Sequence, residues 1–497
     1  MRERTLVDMQ LLTRLLIILA ALSAAVGVGA DGGVYRSTAH GSSTSGVYRD
    51  TSLPRGSCAQ CHSQHAAAPS SFGLFAENYG GSKNAVCFGC HSAGSVSYLG
   101  QSTYLGALHD NSSFACWPGP SPPARPTSDF GNCANCHNPH GHLDRLGLVP
   151  SLAVARDGNL CLTCHDVNGP AVVDIQRQVT KQYSHSLGSP ALAGRHSAKE
   201  MLTPGSYSAT NRHIECVDCH NPHKLPSSTK HSAGTNTASD LLKGASGVEA
   251  AYSTAPWTAP SFTPRATDYL TDVRCEYEIC FKCHSSWAYG PSPPLAPSGS
   301  VETDQSVEFN PNNASFHPVV DYIKTNSYTI PTAANGSKQT MEPPWDALSG
   351  HKLMYCSDCH SSESPGDPKG PHGSTNPYLL IAPTSPTDDT LCLKCHKASV
   401  YKPATDPGTA ETGSRFDEQT TSNGRASHYF HGVQKRVGCR QCHCGSRTAA
   451  AGAVSAGSAH GTNLAPDLIN GTNISSFRPG SCTPTCHGTK TYTAGPE

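Results

Sequence analysis

The chain has 497 residues, of which 36 are basic and 37 acidic, and its net charge of −1 gives no indication of a nucleic-acid partner. Hydrophobic residues make up only 36% of the sequence, whereas 46 glycines and 38 prolines favour turns over long regular elements. Such a composition excludes a large core of ordinary apolar side chains and predicts a loop-rich chain.

The first thirty residues have the pattern of a secretory signal peptide. Three arginines precede or flank an apolar run over residues 15–28, and small residues at 28–30 suit a cleavage site. An uncleaved membrane anchor is the alternative, but the run is short for a span. We expect residues 1–30 to be removed and the chain to be secreted to the extracellular space or cell surface, with the periplasm as the alternative.

Ten cysteine pairs, each followed directly by a histidine, recur along the rest of the chain. Nine have the form Cys-x-x-Cys-His, and the tenth, Cys482-Thr-Pro-Thr-Cys486-His487, is longer by one residue. Cys-x-x-Cys-His is the attachment signature of c-type haem: two thiols bond one porphyrin edge, and the next side chain binds the iron. Zinc and disulfide sites also use paired cysteines, but neither requires a histidine at this position.

We therefore predict ten haem c groups, the tenth through the longer spacing. The predicted thioether cysteines are Cys58, Cys61, Cys87, Cys90, Cys133, Cys136, Cys161, Cys164, Cys216, Cys219, Cys280, Cys283, Cys356, Cys359, Cys392, Cys395, Cys439, Cys442, Cys482 and Cys486. The predicted proximal iron ligands are His62, His91, His137, His165, His220, His284, His360, His396, His443 and His487. No catalytic residue is predicted.

Histidines outside the motifs are numerous enough to supply a second ligand for every iron. The motifs fall into five repeats, each with a histidine before its first motif and another shortly after it. Only Met201, Met341 and Met354 follow the leader, so histidine on both sides of most irons is the simplest stoichiometry. The predicted distal ligands are His40, His65, His109, His140, His185, His223, His317, His372, His431 and His460.

Some histidines and cysteines remain outside this assignment. His428 is an alternative to His431, and His213 or His196 to His185; a surface or propionate-binding role is the simpler interpretation for any spare histidine. The other spare histidines are His142, His231 and His351. For Cys116, Cys275 and Cys444 we expect one disulfide and one unpaired thiol, because an odd number cannot all pair within the chain.

The expected fold is mostly irregular, with short α-helices carrying the motifs, elongated, and with stacked haems as its core. Longer helices are predicted at Asp240–Ala251 and Pro170–Lys181, where Asp240 suits an N-cap and Pro170 a first helical turn. After the leader we expect a single multihaem unit over residues 31–497. Its five two-haem repeats cover about residues 31–100, 101–180, 181–300, 301–400 and 401–497.

The pattern resembles the multihaem c-type cytochromes of metal-reducing bacteria. Cys-His-Asn-Pro-His turns and the Phe-His-Pro-Val element are similar to doubled haem modules of that group. Val-Tyr-Arg-Ser-Thr-Ala-His40-Gly-Ser-Ser, followed by Gly-Ser-Cys-Ala-Gln-Cys-His-Ser-Gln-His, resembles the start of extracellular cytochromes that polymerise into filaments. That resemblance implies a homopolymer in which His40 ligates a haem of the neighbouring protomer, although this chain has more haem motifs than the better-known members.

We expect an electron-transfer protein in extracellular electron transfer, with other cytochromes, minerals or electrodes as partners. A periplasmic carrier or a subunit of an outer-membrane conduit is an alternative that needs the same ligand chemistry. A multihaem reductase of nitrogen or sulfur oxyanions is another, but such enzymes keep one iron open, often with lysine in the proximal position. No Cys-x-x-Cys-Lys occurs in this sequence.

Overall fold

A computed structural model describes a little over half of the chain. The described residues are 32–63, 84–91, 104–110, 132–144, 147–149, 152–155, 158–169, 171, 173–185, 187, 214–225, 231–265, 273–290, 304–322, 340–347, 352–407, 428–443, 460–462, 474–478, 481–484 and 490–491. The chain divides into two compact units, Met1–Cys90 with Asn132–Arg156, and His91–Gly131 with Asp157–Glu497.

Short helices carry most of the regular structure in the described residues. The α-helices are α1 (Gly32–Tyr35), α2 (Ala85–Phe88), α3 (Cys133–Cys136), α4 (Gly158–Leu162), α5 (Gln176–Val179), α6 (Cys216–Cys219), α7 (Glu276–Phe281), α8 (Ser286–Tyr289), α9 (Gln305–Glu308), α10 (Ala398–Tyr401) and α11 (Cys439–Cys442). Single 3₁₀ turns lie at Cys58–Gln60, Asp240–Leu242, Trp345–Ala347, Cys356–Asp358, Pro377–Leu379 and Cys392–Lys394, and a π-helix at Tyr429–Gln434. None of the helices in this part of the chain is long and apolar enough to cross a membrane.

The strands are equally short and pair antiparallel in small sheets. They are β1 (Leu143–Asp144), β2 (Gly147–Leu148), β3 (Tyr183–Ser184), β4 (Gly247–Ala251), β5 (Ser261–Arg265), β6 (Ser315–Phe316), β7 (Gly373–Ser374), β8 (Gly461–Thr462), β9 (Ile474–Arg478), β10 (Ser481–Pro484) and β11 (Lys490–Thr491). The pairs are β1 with β2, β3 with β7, β4 with β5 and β6 with β8, and β10 lies between β9 and β11. The expectation of a loop-rich chain with short helices is thus confirmed.

The first unit is organised by polar contacts around its first motif. The Gln60 side chain, inside Cys58-Ala-Gln-Cys61, is only 1% exposed. Its carbonyl accepts from the backbone N–H groups of Arg49 and Asp50 at 2.8 and 2.9 Å, and its amide donates to the Asp50 carbonyl at 2.9 Å. One buried amide therefore fixes the preceding loop against the motif, since a buried polar group is stable only when its hydrogen bonds are made.

The second unit contains a small apolar core next to the β4–β5 hairpin. Val248 of β4 packs with Tyr277 and Phe281 of α7 and with Trp287 and Phe309, all of them buried. Each element turns one face towards this cluster: the strand β4 contributes Val248, and the helix α7 contributes Tyr277 and Phe281, four residues apart. The cluster is the ordinary hydrophobic component of an otherwise polar fold.

The predicted long helix at Asp240–Ala251 is wrong. The segment forms one 3₁₀ turn, Asp240–Leu242, and then β4. The turn ends at Lys243, whose backbone is extended, and Gly244 follows with a left-handed φ of +77°, a conformation that favours glycine. A Cβ at Gly247 would lie 2.9 Å from the Glu278 carbonyl oxygen, so glycine allows β4 to pass close to α7. In the second predicted helix, Pro170–Lys181, the helical part is the four residues of α5.

Candidate haem sites

A single helical turn gives the described motifs their shape. In eight of them the backbone N–H of the histidine donates to the carbonyl of the first cysteine at 2.8–2.9 Å. This hydrogen bond spans four residues, so it brings both thiols and the imidazole to one side of the turn. The predicted short helical turns are therefore confirmed for these eight motifs, whereas Cys482 of the tenth motif lies in a strand, β10.

Two motifs carry an additional cap. Asp218, between Cys216 and Cys219, accepts the backbone N–H of Glu215 at 2.8 Å. Asp358 in the corresponding position of the seventh motif accepts the Tyr355 N–H at 2.9 Å. Each carboxylate satisfies a backbone donor at the start of its turn, which is the chemistry of a capping box.

Predicted proximal and distal histidines face each other in six pairs. The closest pairs are His62 with His140, at 5.9 Å between ring centres, and His360 with His460, also at 5.9 Å. The remaining pairs are His185 with His284 and His220 with His372, both at 6.1 Å, and His109 with His165 and His317 with His396, both at 6.4 Å. Every pair combines a motif histidine with one predicted as a distal ligand.

This separation fits a metal ion between the two rings. A metal–imidazole bond is about 2 Å long and the ring centre lies about 1 Å further out, so ligands on opposite sides of one ion place their ring centres about 6 Å apart. The observed 5.9–6.4 Å matches that value. With two thiols beside each motif histidine, these residues suit a haem iron that takes two axial imidazoles.

Hydrogen bonds fix the tautomer of several of these rings. His109 and His185 donate from Nδ1 to the carbonyls of Pro222 and Pro371 at 2.9 and 2.8 Å. His40 makes the same contact with Pro139 at 3.3 Å. Donation from Nδ1 leaves Nε2 with its lone pair available, as a metal-bound histidine requires.

Proximal rings are held in the same way. His220 donates from Nδ1 to the Leu241 carbonyl at 2.8 Å, and His360 to the Tyr378 carbonyl at 2.7 Å. The distal ring of His460 differs, because its Nδ1 lies 2.8 Å from Oε2 of Glu308, a side chain only 2% exposed. A carboxylate in that position makes the imidazole a stronger donor to a metal.

Burial keeps the ligand rings neutral. Burial and the neighbouring rings of His220, His185 and His165 lower the pKa of His372 to about 4. Burial together with His317 and His443 lowers the pKa of His396 to about 4. A neutral imidazole has the lone pair that iron needs, so these pKa shifts favour ligation at neutral pH.

The first cysteine of a repeat's second motif lies in contact with the first cysteine of the next repeat. The thiol of Cys87 interacts directly with that of Cys133, and this contact lowers the pKa of Cys87 and raises that of Cys133. Cys161 and Cys216 make the same contact, and it lowers the pKa of Cys216. The same relation joins Cys280 with Cys356, and Cys392 with Cys439.

Motifs within one repeat also lie close enough to interact electrostatically. Cys90 and Cys87 contribute to the raised pKa of Cys61, after the larger effect of burial. In the third repeat, burial raises the pKa of Cys219, and the charges of Lys282, Asp218 and the sixth-motif cysteines have smaller effects on that pKa. In the fourth, burial and then Cys395 raise the pKa of Cys359 to about 12. Adjacent motifs are therefore spatial neighbours, both within and between these repeats.

Other predicted haem-binding residues have different surroundings. His223 lies 6.2 Å from the ring of Tyr104, and His431 lies in the π-helix Tyr429–Gln434 with its ring perpendicular to that of Phe430. Cys482 is in β10. The alternative ligand His428 lies 5.4 Å from the Tyr401 ring. Predictions for His65, Cys486, His487, His196, His213 and His351, and for Cys116, Cys444 and the leader, lie outside the described residues.

Two residues outside the haem assignment have clear surroundings. The ring of the spare histidine His231 packs on Tyr355 with 3.7 Å between ring centres, and its Nε2 lies 3.3 Å from Oδ1 of Asp358. The Cys275 thiol donates to Asn236 Oδ1 at 3.5 Å, and burial raises its pKa to about 11. No disulfide joins the cysteines of the described segments.

Sequence reasoning missed Glu308 and Lys282, which support these sites. Lys282 lies inside the sixth motif, is 1% exposed, and donates to the Asp218 carbonyl and to Ser246 Oγ, both at 2.8 Å. No local pattern marks either residue, because each contacts a partner at least 36 residues away in the sequence.

The chain is similar to one known family. The model described as a doubled CXXCH motif matches residues 52–95, 128–169 and 350–400, and each segment contains two of the motifs described above. No curated protein and no solved structure matches the chain. Together with the paired motifs, the match indicates a multihaem c-type cytochrome. Its motifs indicate covalently bound haem c, and electron transfer is the function that such a protein serves.

Proposed function

We propose that this chain is a secreted decahaem c-type cytochrome that carries electrons along a row of bis-histidine haems. The observation that carries the proposal is the succession of neighbouring motifs. Six consecutive motifs within residues 161–443 are linked, each to the next, by thiol contacts or by electrostatic interaction between their cysteines. Each bound haem would supply a one-electron iron couple.

The histidine pairs favour electron transfer over catalytic turnover of a substrate. The rings of His220 and His372, like those of the other five pairs, would bind one haem iron from opposite sides. A substrate would have to displace one of these imidazoles from the iron. Two imidazoles also favour a low reduction potential, which suits an electron carrier.

The haem count and the core follow from the same chemistry. We propose that Cys482 and Cys486 bond a tenth haem despite their longer spacing. In the described residues, apolar side chains form only two small clusters, one around Val248 and Phe281 and one around Val273 and Ile279. Stacked porphyrins between the loops would supply the missing apolar surface.

The proposed location and partners rest on the sequence. The leader pattern supports export, and a chain of low-potential haems outside the cell suits other cytochromes, minerals or electrodes as acceptors. A periplasmic carrier or a conduit subunit would use the same chemistry. Cell fractionation separates these cases, because a conduit subunit would co-purify with a membrane barrel.

We also propose that copies of the chain polymerise, with His40 binding a haem of the next protomer. The support is the resemblance of residues 34–65 to the start of filament-forming cytochromes. The His40–Pro139 hydrogen bond matches those of His109 and His185, so a role within its own chain is the competing outcome. H40A should abolish polymerisation in the first case and open one iron of the monomer in the second.

Electron cryo-microscopy of sheared extracellular material, with haem-stained gels alongside, tests the function. A filament with an unbroken row of haems is the expected result. A monodisperse protein in the periplasmic fraction would remove the extracellular role and keep the carrier. Turnover of nitrite or tetrathionate would instead favour the reductase.

A further inference from the structure

The six histidine pairs follow two different rules. In three pairs the histidine before the first motif faces the second motif of its own repeat. These pairs are His109 with His165, His185 with His284, and His317 with His396. The connection is therefore local to one repeat.

The other three pairs cross from one repeat to the next. His62 of the first repeat faces His140 of the second, at 5.9 Å with 19° between ring planes. His220 of the third repeat faces His372 of the fourth, at 6.1 Å and 16°. His360 of the fourth faces His460 of the fifth. In each case the first motif of a repeat meets the between-motif histidine of the following repeat.

Backbone contacts show the same offset independently of the ring pairs. Proline carbonyls that accept from His40, His109 and His185 belong to Pro139, Pro222 and Pro371. Each proline directly precedes the between-motif histidine of the next repeat. At the last junction, the backbone N–H of His317 donates to the carbonyl of His460 at 2.9 Å.

Two small sheets reinforce these junctions. β3, directly before His185, pairs with β7, directly after His372, through Ser184 and Gly373. β6, directly before His317, pairs with β8, directly after His460, through Phe316 and Gly461. The strands therefore place the two histidines of each junction side by side.

We propose that the repeats interlock through their iron ligands at these three junctions: the between-motif histidine of a repeat, His140, His372 or His460, is the distal ligand for the first haem of the preceding repeat. This inference rests on the proposed haem-carrying function and specifies its ligands. Thus His372 binds the haem of Cys216 and Cys219, and His460 that of Cys356 and Cys359. The first haem at each of these junctions becomes six-coordinate only after the next repeat has docked.

Two double variants of the full-length loaded protein test this register. H220A/H372A removes both ligands of one haem under the proposal, whereas H360A/H372A removes one ligand from each of two haems. Near-infrared magnetic circular dichroism, normalised to protein, counts the low-spin bis-histidine haems. The proposal predicts a loss of one such haem in the first variant and of two in the second.

The opposite counts, two for H220A/H372A and one for H360A/H372A, would assign His372 to its own repeat and overturn the interlocked register. They would leave the carrier function intact, whereas wild-type protein without low-spin haem would overturn that function itself. If a double variant fails to fold, the structure of the loaded wild type decides. Its Cys216/Cys219 haem must have His372 as the second ligand, and any other side chain there refutes the proposal.

Discussion

The contact between His460 and Glu308 distinguishes one candidate iron ligand from the others. The distal rings of His109 and His185 donate to neutral proline carbonyls, but His460 meets a buried carboxylate at 2.8 Å. A negative charge behind the imidazole stabilises the ferric state, because it adds to the electron density that the ligand gives the iron. The site of His360 and His460 should therefore have one of the lower potentials in the chain.

Removing that charge should raise the potential of a single haem. We expect E308Q to shift one component of a potentiometric titration upwards, by roughly tens of millivolts on Coulombic grounds, with the haem content unchanged. E363Q is the control, because Glu363 pairs with Lys181 and contacts none of the paired rings. An unshifted titration of E308Q would contradict the assigned role.

At the residue scale, the sequence indicated which residue types bind haem but not which residues lie together at one site. Motif spacing predicts His220 as a proximal ligand, because covalent haem attachment dictates that spacing, and the repeat pattern predicts His372 as a distal ligand. Neither pattern carried information that these two rings share one site, since they are separated by a whole repeat. Glu308 was equally hidden, because a carboxylate 152 residues before its histidine leaves no local pattern.

Among the elements, the helical turn of the sixth motif has a buried cation. Lys282 joins this turn to that of the fifth motif through the Asp218 carbonyl and Ser246. Lys394 occupies the corresponding position of the eighth motif but is exposed. The two lysines form a natural comparison between a structural and a surface role.

Neutralising these lysines should have unequal effects. K282M leaves a buried carbonyl and hydroxyl without their donor. We therefore expect the free energy of unfolding to fall by about 2–4 kcal/mol and the thermal midpoint to be clearly lower. K394M should change the free energy of unfolding by no more than a few tenths of a kcal/mol and leave the thermal midpoint unchanged within error. Thermal unfolding of the loaded variants measures both, and equal midpoints would show that Lys282 has no structural role.

Strand β7 should be sensitive to a side chain at Gly373. A Cβ there would lie 1.9 Å from the Gln178 carbonyl oxygen, so valine must push the strand away. Because His372 directly precedes this glycine, we expect G373V to open one iron per protein to carbon monoxide. G366V is the control, since a Cβ at Gly366 meets nothing within 4 Å. Carbon monoxide binding by both variants, or by neither, would exclude this positioning role.

The short elements could be predicted only where chemistry fixed them. The motif turns were expected and found, but residues 240–251 were predicted as helix and form a 3₁₀ turn and a strand. Asp240 as an N-cap favoured a helix there, whereas packing of β4 against α7 through Gly247 decided the outcome. Tertiary contacts of this kind override weak local preferences.

On the scale of the whole molecule, we expect that side-chain packing without haem does not order the chain. The cluster around Val248, Phe281 and Trp287 is the larger of the two apolar clusters in the described segments. We expect protein produced without haem attachment to show no cooperative melt by circular dichroism, because this cluster cannot offset the conformational entropy of so long a chain. A sharp cooperative transition of the haem-free chain would contradict a haem-dependent fold.

The central claim is a row of haems whose irons all have two histidine ligands. The low-temperature ferric electron paramagnetic resonance spectrum of the native protein, recorded together with its haem-to-protein ratio, tests it most directly. The account predicts about ten haems per chain and low-spin signals only. A high-spin signal from one or more irons would show an open axial position and contradict a pure electron carrier.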